Sequence, residues 1–131
     1  MNYTRHEQRK FAMQILYTYE QGSISLEEAV RQVFDNFEKS DEAVALVNNV
    51  MENKDKIDSL IESKLKNYHM SRLNAVDRAI LRLSVGEMLN ATPKGVAINE
   101  ALELTREFSD SGDNKAVHFN NAVLDAVSKE I

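Results

Sequence analysis

Apolar positions recur at helical spacing from one end of this chain to the other, and no stretch alternates as a half-buried strand would. Residues 4–21 carry Phe11, Ala12, Ile15, Leu16 and Tyr19 on one face, and Gly22 ends that helix. Ser25 and Glu28 have the spacing of a capping box, opening a second helix that runs to about Phe37 with Leu26, Val30, Val33, Phe34 and Phe37 inward. Asp41 can cap a third. Its apolar period runs through Ala43, Val47, Val50, Ile57, Ile61, Leu65 and Tyr68, interrupted at Asn53-Lys54-Asp55, so a bent helix or two helices are expected.

Residues 72–90 differ from the rest. Leu73, Val76, Ile80 and Leu83 lie on one side, but Leu81, Val85, Met88 and Leu89 continue most of the way round. A helix that is apolar nearly all round is buried by others, so this one is expected at the centre. Glu87 falls among its apolar positions, where a carboxylate needs a partner. Arg72, or the start of the next helix near Asn99, is the expected source. After the Ala91–Gly95 turn, a helix from Val96 or Ala97 to Phe108 turns Ile98, Ala101, Leu102, Thr105 and Phe108 inward. A polar loop then leads to a last helix over about 114–129, with Asp113 as its N-cap. Val117, Phe119, Val123, Leu124 and Val127 form its apolar face, and Asn120 sits in the middle of that face. An all-α single domain of about six to seven helices follows, with only one proline and four glycines to break it.

Composition narrows the function. Hydrophobic residues at 43% and charged residues at 28% belong to a globular chain rather than a disordered one. The absence of cysteine excludes disulfides, thiolate metal sites and a cysteine nucleophile. His6, His69 and His118 lack metal-ligand spacing and no phosphate-binding glycine loop is present, so no catalytic residue, metal or cofactor is assigned. No apolar run approaches ~18 residues, and the N-terminus is polar, so neither a membrane span nor a secretory signal is expected and a cytoplasmic location is the default. The net charge of −5 is unlike that of a protein held to nucleic acid by its own bulk charge. A local patch or a partner's charge would have to serve. One such strip lies beside the apolar face of the first helix: His6, Arg9, Lys10, Met13 and Tyr17, with Arg5 at its edge. Cations around an aromatic can hold phosphates and stack a base. The same pattern also fits a solvated face, diluted by Glu7 and Glu20.

Three blocks carry a family resemblance. They are Asn74-Ala75-Val76-Asp77-Arg78-Ala79-Ile80-Leu81-Arg82-Leu83 followed by Glu87; Pro93 followed by Val96-Ala97-Ile98-Asn99-Glu100-Ala101-Leu102-Glu103-Leu104; and Phe119-Asn120-Asn121-Ala122-Val123-Leu124-Asp125. With Ala12-Met13-Gln14-Ile15-Leu16-Tyr17 near the start, they resemble the NusB family of bacterial transcription antitermination factors over essentially the whole chain. The resemblance implies two packed helical subdomains, about 1–68 and 69–131, and no enzyme activity. It implies binding to boxA-type RNA of ribosomal RNA leader transcripts as a heterodimer with the ribosomal protein NusE, within the transcription elongation complex, and no small-molecule substrate. The candidate RNA-binding set becomes Arg5, His6, Arg9, Lys10, Tyr17, Lys115, His118 and Phe119, and the candidate partner-binding set Asp77, Asp110 and Asp113. Two departures stand out: the family often begins with an arginine-rich tract, thinned here to Arg5, His6, Arg9 and Lys10, and it usually has valine at Asn120. A protein-binding helical adaptor without intrinsic RNA affinity is the alternative. The RNA-binding domain of small-subunit ribosomal RNA cytosine methyltransferases is a third relative, disfavoured because this chain has no cysteine and no methyltransferase domain before it ends at Ile131.

Overall fold

The computed structural model describes residues 2–66 and 69–131. Seven α-helices are present among them, joined by short connections and one 3-10 turn at Met70–Arg72. In order they are α1 (Arg5–Gln21), α2 (Leu26–Val33), α3 (Asp41–Glu52), α4 (Lys54–Glu62), α5 (Ala75–Leu89), α6 (Lys94–Phe108) and α7 (Lys115–Ser128). Local chemistry sets their starts. Thr4 and Glu7 form a reciprocal capping box on α1, and Ser25 and Ser40 accept the Glu28 and Ala43 amides at the heads of α2 and α3. At α2 only half of the expected box is made, because the Glu28 carboxylate turns instead to Arg31, one helical turn on.

The all-round apolar helix is indeed central: α5 packs against α1, α3, α4, α6 and α7. Gly86 permits a close approach of α3. A Cβ there would lie 2.9 Å from Val50 Cγ2. The Gly86 carbonyl also accepts the Asn49 side-chain amide at 2.8 Å, tying α5 to α3. A second tie is ionic. Arg78 and Arg82 on α5 share Glu20 of α1, and Arg82 reaches Asp58 of α4 at 2.8 Å. Burial alone would raise the Glu20 pKa, but the two guanidinium groups more than offset it and hold the carboxyl below its usual range.

Several sequence expectations are corrected. The central helix starts at Ala75 rather than 72, because Met70–Arg72 takes a 3-10 turn and the Asn74 side chain caps the Val76 amide at 2.8 Å. The second helix stops at Val33, and Phe37 is not inward but 59% exposed, on the connection that follows. The interrupted third stretch is two helices meeting at Asn53, whose amide donates back to the Asn49 carbonyl at 2.9 Å. It ends at Glu62; Tyr68, expected inward, lies outside the described residues. The sixth helix begins directly after Pro93, whose fixed φ sets the entry, rather than at Val96 or Ala97. Its buried stripe is Ala97, Ala101, Leu104 and Thr105, rotated so that Ile98 and Leu102 are half-buried and Phe108 is exposed. The N-cap of α7 is Asn114, in the left-handed region at φ 62°, not Asp113. The Asp113 carboxylate nonetheless accepts the Lys115 amide at 3.0 Å, so it stabilises the same entry from one residue further out.

Candidate RNA and partner interface

The side chains of α1 sort themselves by depth. Arg9 is 6% exposed and Glu87 4% exposed, and the two form a buried ion pair. Arg9 Nε donates to Glu87 Oε1 at 2.8 Å and Oε2 at 3.1 Å, and Nη2 donates to Oε2 at 3.0 Å. The hydrogen bonds to Glu87 push the Arg9 pKa further up. Glu87 therefore finds its partner on α1, not at Arg72, which is exposed, nor at the head of α6. The same contact removes Arg9 from the candidate RNA-binding strip. Packing at the α1–α5 contact puts the guanidinium inside, and neutralisation by Glu87 leaves little charge to offer a phosphate. Met13 is likewise buried.

His6 is half-buried and held by two carboxylates of α6, with Nδ1 3.3 Å from Glu100 and Nε2 in contact with Glu107. Burial would lower its pKa, but the two glutamates outweigh that and raise it. Glu20, which appeared to dilute the strip, is engaged with Arg78 and Arg82. What remains presented on α1 is exposed Arg5, half-buried Lys10 with its ammonium 5.5 Å from the Phe11 ring, and Tyr17 at 38% exposure.

Tyr17 borders a surface groove of about 360 Å³ between α1, α2 and the head of α5. Met13, Val33 and Val76 line it with Gln14, Thr18 and Gln32. Gln14 lies three residues before Tyr17 and could have been read from helical spacing; Gln32 comes from α2 and needed the tertiary structure. The groove brings Tyr17 to Val76, the neighbour of Asp77. Asp77 in turn accepts a hydrogen bond from Asn120 at 3.1 Å, which places the head of α7 beside it. There His118 and Lys115 are exposed and Phe119 is half-buried. Tyr17 thus lies towards the head of α5, where Asp77 meets Asn120 of α7, whereas Arg5 and His6 lie up to about 18 Å further along α1 at 1.5 Å per residue. Asp113 is exposed next to Lys115, their charged atoms 4.0 Å apart. Asp110 is half-buried: one carboxylate oxygen accepts the Gly112 amide at 3.2 Å and the other is enclosed without a partner among the described residues. Thr105, expected inward on α6, has a role the periodicity did not show: its hydroxyl accepts the Asn120 amide at 3.0 Å.

Comparison with known proteins gives a consistent picture. The model of the NusB family matches residues 6–129. The transcription antitermination protein NusB of Bacillus licheniformis is 40% identical over 129 residues, covering 97% of this chain and 98% of that protein. Among solved structures, Thermotoga maritima NusB superimposes with a TM-score of 0.85 at 29% identity, covering 99% of this chain and 94% of that one. A structure of antitermination factors NusB and NusE in complex with double-stranded RNA gives 0.84 at 29% identity, covering 97% of both chains.

Proposed function

Since this chain belongs to the NusB family, we propose that it is an RNA-binding transcription antitermination factor that engages boxA-type leader RNA jointly with the ribosomal protein NusE. It works as a non-enzymatic component of the elongation complex. The observation that carries the joint mode is the state of the α1 cations. Arg9 is neutralised in the core and His6 is held by two glutamates, which leaves Arg5 and Lys10 on a protein whose net charge is −5. The α1 strip thus offers phosphate two cations, too few for strong attraction, so the charge must come largely from a basic partner. The specific part of recognition then falls to the Tyr17 groove. An unstacked base can lie on the ring, with the carboxamides of Gln14 and Gln32 in reach of its edge. Asp77 on α5, with Asp110 and Asp113 on the connection before α7, supplies carboxylates for cationic groups of the partner.

The test is RNA titration of the heterodimer. Tyr17→Ala should cost ~1–3 kcal/mol if a base stacks there. Lys10→Ala should reduce the salt slope by about one and weaken binding evenly across sequences. If both variants are folded and bind RNA as the parent does, the adaptor reading holds instead, a reading favoured by the engagement of Arg9 and His6.

A further inference from the structure

A polar relay is buried where α5, α6 and α7 meet. Asn120 has no exposed surface. Its Nδ2 donates to Asp77 Oδ1 at 3.1 Å and to Thr105 Oγ1 at 3.0 Å. The Thr105 hydroxyl donates in turn to the Ala101 carbonyl at 2.8 Å. Each proton in the relay is therefore committed. Turning the amide over would set its oxygen against the Asp77 carboxylate and against a hydroxyl whose hydrogen points elsewhere, so the network fixes one orientation. The cost of that orientation is visible: Asn120 Oδ1 is enclosed with no partner among the described residues. An apolar side chain at this position would carry no such unmet acceptor.

What the amide does achieve is a hold on Asp77. Asp77 stands in the first turn of α5, half-buried. Its Oδ1 is drawn inward to Asn120, while Oδ2 takes no hydrogen bond among the described residues. We propose that Asn120 is a positioning residue: anchored on Thr105, it holds the Asp77 carboxylate with Oδ2 presented outward, ready to accept a hydrogen bond from a lysine or arginine of the docking protein. This rests on the reading of Asp77 as a partner contact. A carboxylate held in advance loses less rotational freedom on binding than one that must be ordered by the partner.

The experiment is calorimetric titration of NusE into the parent, Asn120→Val, Thr105→Val, Asp77→Ala and the Asn120→Val/Asp77→Ala double variant, with a urea titration of each. Asp77→Ala should weaken NusE binding about tenfold or more. Asn120→Val should weaken it about three- to tenfold while its urea midpoint stays level or rises, and it should add nothing in the Asp77→Ala background. Thr105→Val, which removes the anchor and leaves the amide in place, should weaken binding in the same direction, and it serves if Asn120→Val folds poorly. If Asn120→Val and Thr105→Val bind NusE like the parent while Asp77→Ala does not, the positioning role is overturned and the partner site stands. If Asp77→Ala also binds like the parent, the partner reading of Asp77 fails, and the inference with it.

Discussion

The pair Arg9–Glu87 gives the sharpest stability prediction. Both side chains are almost fully enclosed, and three hydrogen bonds of 2.8–3.1 Å join them across the α1–α5 contact. Removing one partner leaves a buried charge without its counter-ion, which costs about 3–5 kcal/mol. A domain of this size has only about 5–15 kcal/mol of total stability. The loss corresponds to a fall in Tm of about 10–20 °C, taking the usual unfolding entropy per residue. Arg9→Met and Glu87→Leu should each show it. The double variant should behave differently. With both charges gone and apolar groups of similar bulk in their place, the stability should return close to the parent or exceed it by about 1–4 kcal/mol. Glu100, whose carboxylate lies 3.9 Å from Arg9 Nη1, keeps its contact with His6 in these variants. Urea titrations of the four proteins complete the cycle. Strong non-additivity is expected. Single variants that each cost under about 1 kcal/mol, or a double variant that costs the sum of the two, would refute the assignment of Arg9 to the core and return it to the candidate RNA-binding strip.

Two further outcomes follow from the packing and the charges. Gly86→Ala should destabilise by about 1–2 kcal/mol, because the added methyl must displace Val50 in a filled core by more than the helix preference of alanine returns; a higher urea midpoint would show that α3 and α5 have room to move apart. The His6 latch should weaken with rising pH. Its folded pKa is raised from 6.5, so the folded state binds more protons than the unfolded one above that value. The contribution is complete below about 6.5 and is lost as the pH climbs through the raised value. The difference in Tm between the parent and His6→Gln should therefore be larger at pH 6 than at pH 8.5, and an equal difference at both would contradict a protonated latch.

Helical periodicity made most of the architecture legible: the central role of residues 75–89 follows from apolar side chains on every side, and the break at Asn53 shows as an interruption of the period. Ends were less legible. Whether Phe37 continues a helix or sits beyond it depends on packing against Phe11, whose ring centroid lies 5.6 Å from that of Phe37 although the two are far apart in sequence. The candidate site was harder still, for a physical reason. Arg9 and Arg5 look alike in a sequence, both cations near one face of one helix. Only the partner at Glu87, 78 residues away, makes the first structural and leaves the second in solvent. Asn120 posed the same problem. Its place on an apolar face was evident, but the side chains that meet its nitrogen, Asp77 and Thr105, come from two other helices, and its oxygen has no partner among the described residues.

Whether this acidic chain recognises RNA jointly with a basic partner is decided by titrating a labelled boxA-type RNA with the chain alone, NusE alone and an equimolar mixture, over a series of salt concentrations. The chain alone should bind weakly with a shallow slope, given its two free α1 cations, and the mixture should bind at least about tenfold more tightly than either protein, with a steeper slope that reflects the added phosphate contacts. A mixture that binds no better than NusE alone, with the two proteins shown to associate, would contradict it.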